Sequence, residues 1–231
     1  MTTQQGIVIV VIILVCLALW WVYRKAVKYN EVDWGSRWFG LIDGLNRLIC
    51  YRLHRLQPQH IELPEQGGCI LACNHVSGLD PLVLIAAARR PLRFMIAREE
   101  YERFGLQWLF RGVGCIPVER SGRPELALRE ALRTLQMGEV LAIFPHGKIH
   151  LDSDPARKLK KGVAWLAGQT NAPIIPCRLT GVSGEGHTLL SVLMRSRVNI
   201  ETFDIIHCEQ DTNGECLDEI SCRIEGRFKQ E

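Results

Sequence analysis

The chain carries an unbroken apolar run near its start. Residues 6–22 read GIVIVVIILVCLALWWV, without a charged side chain, and a helix of that length just crosses a hydrocarbon core of about 30 Å. Trp20, Trp21 and Tyr23 follow as an interfacial aromatic belt, with Arg24, Lys25 and Lys28 directly after them. Positive charge on that side predicts a single-pass anchor over 1–29 with the bulk of the chain on the cytoplasmic face. A cleaved signal peptide and a buried core helix share the apolar signature, but no basic residue precedes the run and no small-x-small cleavage pattern follows it.

A second pattern runs from 34 to 56. Trp34, Trp38, Leu41, Ile42, Leu45, Leu48 and Ile49 recur at helical spacing, and Arg37, Asp43, Arg47, Arg52 and Arg55 occupy the remaining positions. This suits an amphipathic helix in region 30–58 lying in the membrane interface, its arginines towards lipid headgroups. A helix packed on the soluble domain fits the same pattern. Gly40 and Gly44 lower helix propensity and predict a kink or break.

From 59 to 231 the pattern changes to short apolar runs alternating with amphipathic ones. Strands are expected at 68–73, 92–97, 113–118, 140–144 and 174–179, and helices at 81–89, 101–110, 124–137 and 161–169. Pro124 suits a first helical turn and Gly138 a helix end. Such alternation predicts an α/β domain, a mostly parallel sheet flanked by helices. Another strand is possible at 202–207 and a turn at 211–214. The acidic end reads as a capping helix or a loosely ordered tail and suggests no function.

Hydrophobic residues at 47% and charged residues at 23% describe a folding chain rather than a disordered one. A net charge of 28 − 25 = +3, with no zinc-finger or RNP-like pattern, gives no case for nucleic acid. Residues 24–60 hold seven basic and three acidic side chains, while 201–231 hold three and nine. The basic surplus thus follows the apolar segment, where an anionic leaflet would attract it. The nine cysteines are scattered, with no C-x-x-C, and are expected to be reduced thiols in a cytosol-facing protein.

In open α/β sheets chemistry collects where strands end. The run 68–73 leads into Asn74-His75-Val76-Ser77-Gly78-Leu79-Asp80-Pro81. A histidine at a strand end and an aspartate at the next helix start can meet across the turn as a general base and the group that orients it. With no G-x-S-x-G serine and no convincing cysteine nucleophile beside them, the substrate's own hydroxyl would attack. On spacing alone, Asp80 as a helix cap and His75 as an ordinary loop histidine remain open.

The run N-H-x-S-x-x-D-P resembles the first block of the 1-acylglycerol-3-phosphate acyltransferase family, within the glycerolipid acyltransferases. Gly114-Cys115-Ile116-Pro117-Val118-Glu119-Arg120 resembles its second block, Phe144-Pro145-His146-Gly147 its third, and 161–176 its fourth. The resemblance, over about residues 60–185, implies transfer of an acyl group from acyl-CoA or acyl carrier protein to a lysolipid hydroxyl. His75 then matches the catalytic base and Asp80 its charge partner, with Asn74 and Ser77 on accompanying motif positions as substrate-binding candidates. Arg120 matches an arginine near the acceptor phosphate, suited by its fork to phosphate geometry. Pro145, Gly147 and Lys148 fall in the third block as acceptor-binding candidates. Implied partners are the bilayer, the lysolipid and the acyl donor; no cofactor or metal is implied.

The third block departs from the family pattern F-P-E-G-T-R-S, since this chain reads Phe144-Pro145-His146-Gly147-Lys148-Ile149-His150. Histidine replaces the glutamate and isoleucine the arginine, which leaves the acceptor open: lysophosphatidate, another lysophospholipid or a lyso amino-acid lipid. Lys148 offers a replacement charge. His146, His150, Asp152 and Asp154 invite a metal reading, against which Pro145 and Gly147 predict a turn rather than a helix that would align the histidines. The basic stretches 89–93 and 157–161 read either as contacts to phosphate or carrier protein or as solvated faces. A thioesterase or phospholipase using the same pair on water, and a non-catalytic lipid-binding scaffold, are the competing functions.

Overall fold

The computed structural model describes residues 3–119, 124–209 and 214–227. Its elements are α1 (Thr3–Tyr29), α2 (Arg37–Arg52), β1 (Cys69–Cys73), α3 (Asp80–Ala87), β2 (Leu92–Ala97), α4 (Arg98–Tyr101), α5 (Gln107–Gly112), β3 (Ile116–Val118), α6 (Pro124–Gln136), β4 (Val140–Ile143), α7 (Gly162–Thr170), β5 (Ile174–Thr180), α8 (Leu190–Leu193), β6 (Asn199–Thr202) and α9 (Glu215–Ile224). The strands form one sheet in the order β3-β2-β4-β1-β5-β6. All pairings are parallel except that of β6 with β5. Central β1 lies between β4 and β5, with Leu71 opposite Ala142 on one side and Ile175 on the other.

Strand β1 is apolar at every position because both of its faces are covered. Cys69, Leu71 and Cys73 join Val140, Ala142 and Ile175 under Val83 and Leu84 of α3 and Cys50 of α2. Ile70 and Ala72 join Leu141 and Ile174 under Ala131 of α6, Leu166 of α7 and Ile220 of α9. Helix α6 ends where Gly138 adopts φ +79°, and α7 ends at Asn171 in the left-handed region, φ +53°, the conformation that closes many helices.

Helix α1 leaves residues 7–24 exposed on every side, and its stretch Gln4–Tyr29 is long and apolar enough to cross a membrane. Trp20 and Trp21 pair one turn on with Arg24 and Lys25, cation to ring centroid 5.0 and 5.6 Å. The end of α1 packs on α2, and here the sequence expectation is corrected: Gly40 and Gly44 lie within a continuous helix. A Cβ on Gly44 would sit 1.8 Å from the Ala26 carbonyl oxygen, so this glycine permits backbone contact between the two helices.

The orientation of α2 is a second correction. Arg47, expected among arginines facing headgroups, is fully buried. Its Nε donates to Asp43 Oδ2 at 2.8 Å, and its terminal nitrogens donate to the carbonyl oxygens of Ala86, Ile85 and Ala88 at 2.8, 3.1 and 2.7 Å. It thus satisfies the carbonyls left open at the end of α3. Burial pushes the Asp43 carboxyl up, partly offset by Arg47. Trp38, Ile42, Leu45 and Ile49 remain exposed. The helix therefore packs on the domain through polar and small residues and turns an apolar stripe outward.

Other expectations shift locally. The helix expected at 101–110 is two short helices, α4 and α5, separated at Gly105, whose φ of +81° is incompatible with a continuing helix. The expected strand 113–118 narrows to Ile116–Val118 because Gly114 turns the chain at φ +71°. The last strand is Asn199–Thr202 rather than 202–207, with one bridge from Ile206 to Ile174 beyond it. Part of the expected turn at 211–214 lies outside the described residues. The acidic end forms α9. Where reduced thiols were expected throughout, Cys208 and Cys216 are brought together with Cα atoms 5.8 Å apart, within reach of a disulfide, because α9 returns beside the segment after β6.

Candidate active site at the ends of β1 and β4

Both key loops leave the carboxyl edge of the parallel sheet. After β1 the chain turns through residues 74–79 and enters α3 at Asp80, which is wholly buried. Its Oδ2 accepts from His75 Nδ1 at 2.8 Å and from the backbone N–H groups of Val76 and Ser77 at 2.6 and 2.9 Å, while Oδ1 accepts from Ser77 Oγ at 2.8 Å. The carboxylate thus organises the whole turn. Because it accepts from Nδ1–H, the neutral imidazole keeps its lone pair on Nε2. The His75 side chain is 18% exposed, so solvent-side access to the ring remains.

Asn74 and Ser77, expected beside the substrate, are both buried. The Asn74 amide exchanges hydrogen bonds with the Leu179 backbone, Nδ2 to O at 2.9 Å and N to Oδ1 at 2.7 Å, fastening the end of β1 to β5. Ser77 Oγ accepts from Leu79 N at 3.1 Å while donating to Asp80. The turn is clasped from outside by 186–188: Gly186 N donates to Val76 O at 2.8 Å and Gly78 N to His187 O at 3.1 Å. A Cβ on Gly78 would meet Thr188 O at 1.9 Å.

The loop after β4 supplies the other wall. The Phe144 ring stacks on His75, centroids 4.1 Å apart and planes 16° apart, and His150 N donates to His75 O at 2.7 Å. Pro145 is buried and Lys148 exposed. Gly147 makes the turn at φ +73°, its N–H donating to Phe144 O at 2.9 Å, and Lys160 N donates to Pro145 O at 2.9 Å. Arg120 lies outside the described residues. The basic stretch 89–93 is largely used in structure: Arg90 donates to the carbonyls of Pro64, Gly67 and Gly138, and Arg93 pairs with Glu139 at 2.6 Å.

The 146–150 turn, expected to keep its histidines apart, instead stacks the rings of His146 and His150 at 4.3 Å. His146 Nε2 lies 2.9 Å from Glu225 Oε1, beyond the end of α9. Burial, then the neighbouring His150, Arg157, Arg227 and His75, hold the His146 imidazole down at about 4. Of the expected metal group, Asp152 turns away to Arg178 at 2.5 Å, and Asp154 accepts from Leu151 N at 2.9 Å. Sequence reasoning missed Phe144 as a wall of the site, although the residue opens the third block. It also missed Glu225, for which sequence holds no local signal because 79 residues separate it from His146.

Comparison with known proteins identifies the family of the chain. The Acyltransferase family pattern matches residues 56–180. A 1-acyl-sn-glycerol-3-phosphate acyltransferase of Bacillus subtilis (strain 168) is 25% identical over 122 residues, 52% of this chain and 60% of its own length. A probable 1-acyl-sn-glycerol-3-phosphate acyltransferase of Mycoplasma pneumoniae is 30% identical over 169 residues, 70% of this chain and 59% of its own. An N-acylphosphatidylethanolamine synthase of Arabidopsis thaliana is 33% identical over 117 residues, 46% and 40% of the two chains. The chain therefore spans about 60% or less of the length of these relatives. The crystal structure of PlsC, the 1-acyl-sn-glycerophosphate acyltransferase of Thermotoga maritima, superposes with a TM-score of 0.60 at 17% identity, covering 83% of this chain and 82% of that one, a likeness of fold. With the family pattern matching more than half of its length, the chain belongs to the Acyltransferase family.

Proposed function

We propose that this acyltransferase moves a fatty acyl group from acyl-CoA or acyl carrier protein to the free hydroxyl of 1-acylglycerol-3-phosphate, giving phosphatidate. The observation that supports it is the His75–Asp80 pair, with Nδ1 committed to a buried carboxylate and Nε2 left for a proton. In this reading Nε2 takes the proton of the acceptor hydroxyl as its oxygen attacks the thioester carbonyl carbon. The tetrahedral intermediate collapses with cleavage of the C–S bond, and the departing thiolate takes the proton back from the imidazolium. Asp80 stays ionised and stabilises the transient imidazolium. Asn74 and Ser77 act by holding the turn, and Arg120, Pro145, Gly147 and Lys148 by holding the acceptor end.

The protein is read as an anchor at 1–29, an interface region at 30–58 and a catalytic domain at 59–231 on the cytoplasmic face. The apolar stripe of α2 would rest on the bilayer that supplies the acceptor and receives the product. The Cys208–Cys216 pair offers a test of sidedness. A cytoplasmic domain should yield it as a dithiol when intact cells are rapidly alkylated; a disulfide trapped there would place the domain on the oxidising side.

A second acceptor is favoured by one observation, the His146, Lys148 and Ile149 substitutions in the third block, and a lysophospholipid with another headgroup is that alternative. The deciding experiment is acyl transfer by full-length protein in detergent, with labelled acyl-CoA and acyl carrier protein donors against a lysolipid panel. Diacyl product from lysophosphatidate that disappears in His75→Ala supports the main reading, and product from another lysolipid moves the acceptor. CoA release without any acceptor indicates a thioesterase, and no turnover with either donor returns the chain to a lipid-binding scaffold.

A further inference from the structure

The third-block turn and the end of α9 bring together three groups that the acyl-transfer chemistry does not use. One ligand atom from each of His146, His150 and Glu225 can be chosen so that all lie within 4.8 Å of one another. Two of the three occupy positions where this chain departs from the F-P-E-G-T-R-S pattern. The third comes from beyond residues 56–180, where the family pattern ends. We propose that His146, His150 and Glu225 form a binding site for a divalent transition cation of the zinc class.

Two imidazoles and a carboxylate are a donor set that zinc accepts, with a fourth position for water. Tetrahedral ligands about 2.0–2.1 Å from zinc stand roughly 3.3 Å apart. The His146 Nε2–Glu225 Oε1 contact of 2.9 Å is already that close, whereas the His150 ring, stacked on His146 with planes 27° apart, must turn to aim a nitrogen at the same point. His146 is 1% exposed, and its Nε2 is held against Glu225 Oε1, so this ring is already fixed beside the carboxylate that would share the ion.

The surroundings resemble the outer shell of a metal site. Asp154 Oδ2 lies 3.6 Å from His150 Nδ1, placed to orient that ring while Nε2 faces the ion. Ser221 Oγ donates to Glu225 Oε1 at 3.0 Å. Arg227 opposes cation binding, since it pairs with Glu225 Oε2, but its side chain is 55% exposed and can swing into water. The site would tie α9 to the turn that carries Phe144. It stands on geometry alone, so the acyl-transfer assay can fail without touching it.

The test uses full-length protein in detergent, stripped with chelator and dialysed against zinc chloride, with bound metal counted by mass spectrometry and cobalt(II) as the spectroscopic probe. The expected result is one zinc per chain and a cobalt complex with visible d–d bands but no sulfur-to-metal charge transfer. His150→Ala and Glu225→Gln should each weaken binding by more than about tenfold, Asp154→Asn by about tenfold, and His75→Ala should bind as the parent does. Variants are compared only after circular dichroism shows native folding, and the parent's cobalt spectrum decides if they fail to fold. Substoichiometric zinc, a thiolate charge-transfer band, full binding in folded His150→Ala and Glu225→Gln, or loss in folded His75→Ala would each overturn the assignment.

Discussion

The ring of Phe144 lies flat on that of His75, 4.1 Å between centroids. One face of the imidazole is thus held by an aromatic plane while its edge is held by Asp80. The predicted result of Phe144→Leu, which keeps bulk but removes the plane, is a fall in kcat of up to about a hundredfold with little change in KM. Steady-state kinetics at saturating donor check it; an unchanged kcat would show that Asp80 alone orients the ring.

Asp80→Asn tests the other restraint. The amide can present its NH2 to His75 and stabilise the wrong tautomer, so kcat should fall by about 10⁴-fold. Val76 N and Ser77 N would compete for one remaining oxygen, and stability should drop by about 1–3 kcal/mol. Urea unfolding alongside the rate measurement separates the two effects.

Arg47 should matter for stability and not for chemistry. Arg47→Met keeps much of the apolar stem but removes the guanidinium that donates to Asp43 and to the Ile85 and Ala88 carbonyls. Loss of about 3–5 kcal/mol is expected, with turnover of the remaining folded protein unchanged. A loss below 1 kcal/mol on the same scale would mean that water replaces the guanidinium.

Burial raises the thiols of Cys50, Cys69 and Cys115 from 9.0 to about 12, 11 and 12. At pH 8 their thiolate fractions fall roughly a hundred- to a thousandfold below that of an unperturbed thiol, so iodoacetamide should spare them in the native state and modify them in urea. Unfolded thiols ionise from about pH 9 while the folded ones stay protonated. The stability linked to these groups is therefore present below pH 9 and lost as pH rises towards 11–12. Chemical denaturation at pH 7.5 and 10.5 reads that loss; equal midpoints would refute it.

Gly78→Ala introduces a Cβ that would meet the Thr188 carbonyl oxygen at 1.9 Å. The clasp at 186–188 must shift, with a cost of about 1–3 kcal/mol and a loss of turnover from the loosened His75 turn. Limited proteolysis should cut 183–190 faster in this variant than in the parent, and equal rates would show that the clasp adapts.

Much was legible from local pattern. Strand 92–97 and the start of the helix at Pro124 agree with the structure to the residue, and β1, β4, β5 and α7 lie within two residues of expectation, because apolar runs bounded by glycine and proline carry their own punctuation. The His75–Asp80 contact was legible for the same reason, five residues apart around one turn. The break at Gly105 was not, since helical periodicity continues through a residue whose positive φ only the packed chain reveals.

By itself, the sequence determined the long apolar N-terminal helix, the alternating α/β order and the pairing of His75 with Asp80, all consequences of interactions between near neighbours. Only the tertiary structure decided that Arg47 faces inward to α3, that Gly44 serves contact with Ala26 rather than a kink, that Phe144 stacks on His75, and that Glu225 reaches His146. Those choices depend on which of several chemically acceptable partners is brought within reach by the sheet order and the helices packed on it. An amphipathic pattern specifies that a helix has two faces; what each face meets is settled by the rest of the chain.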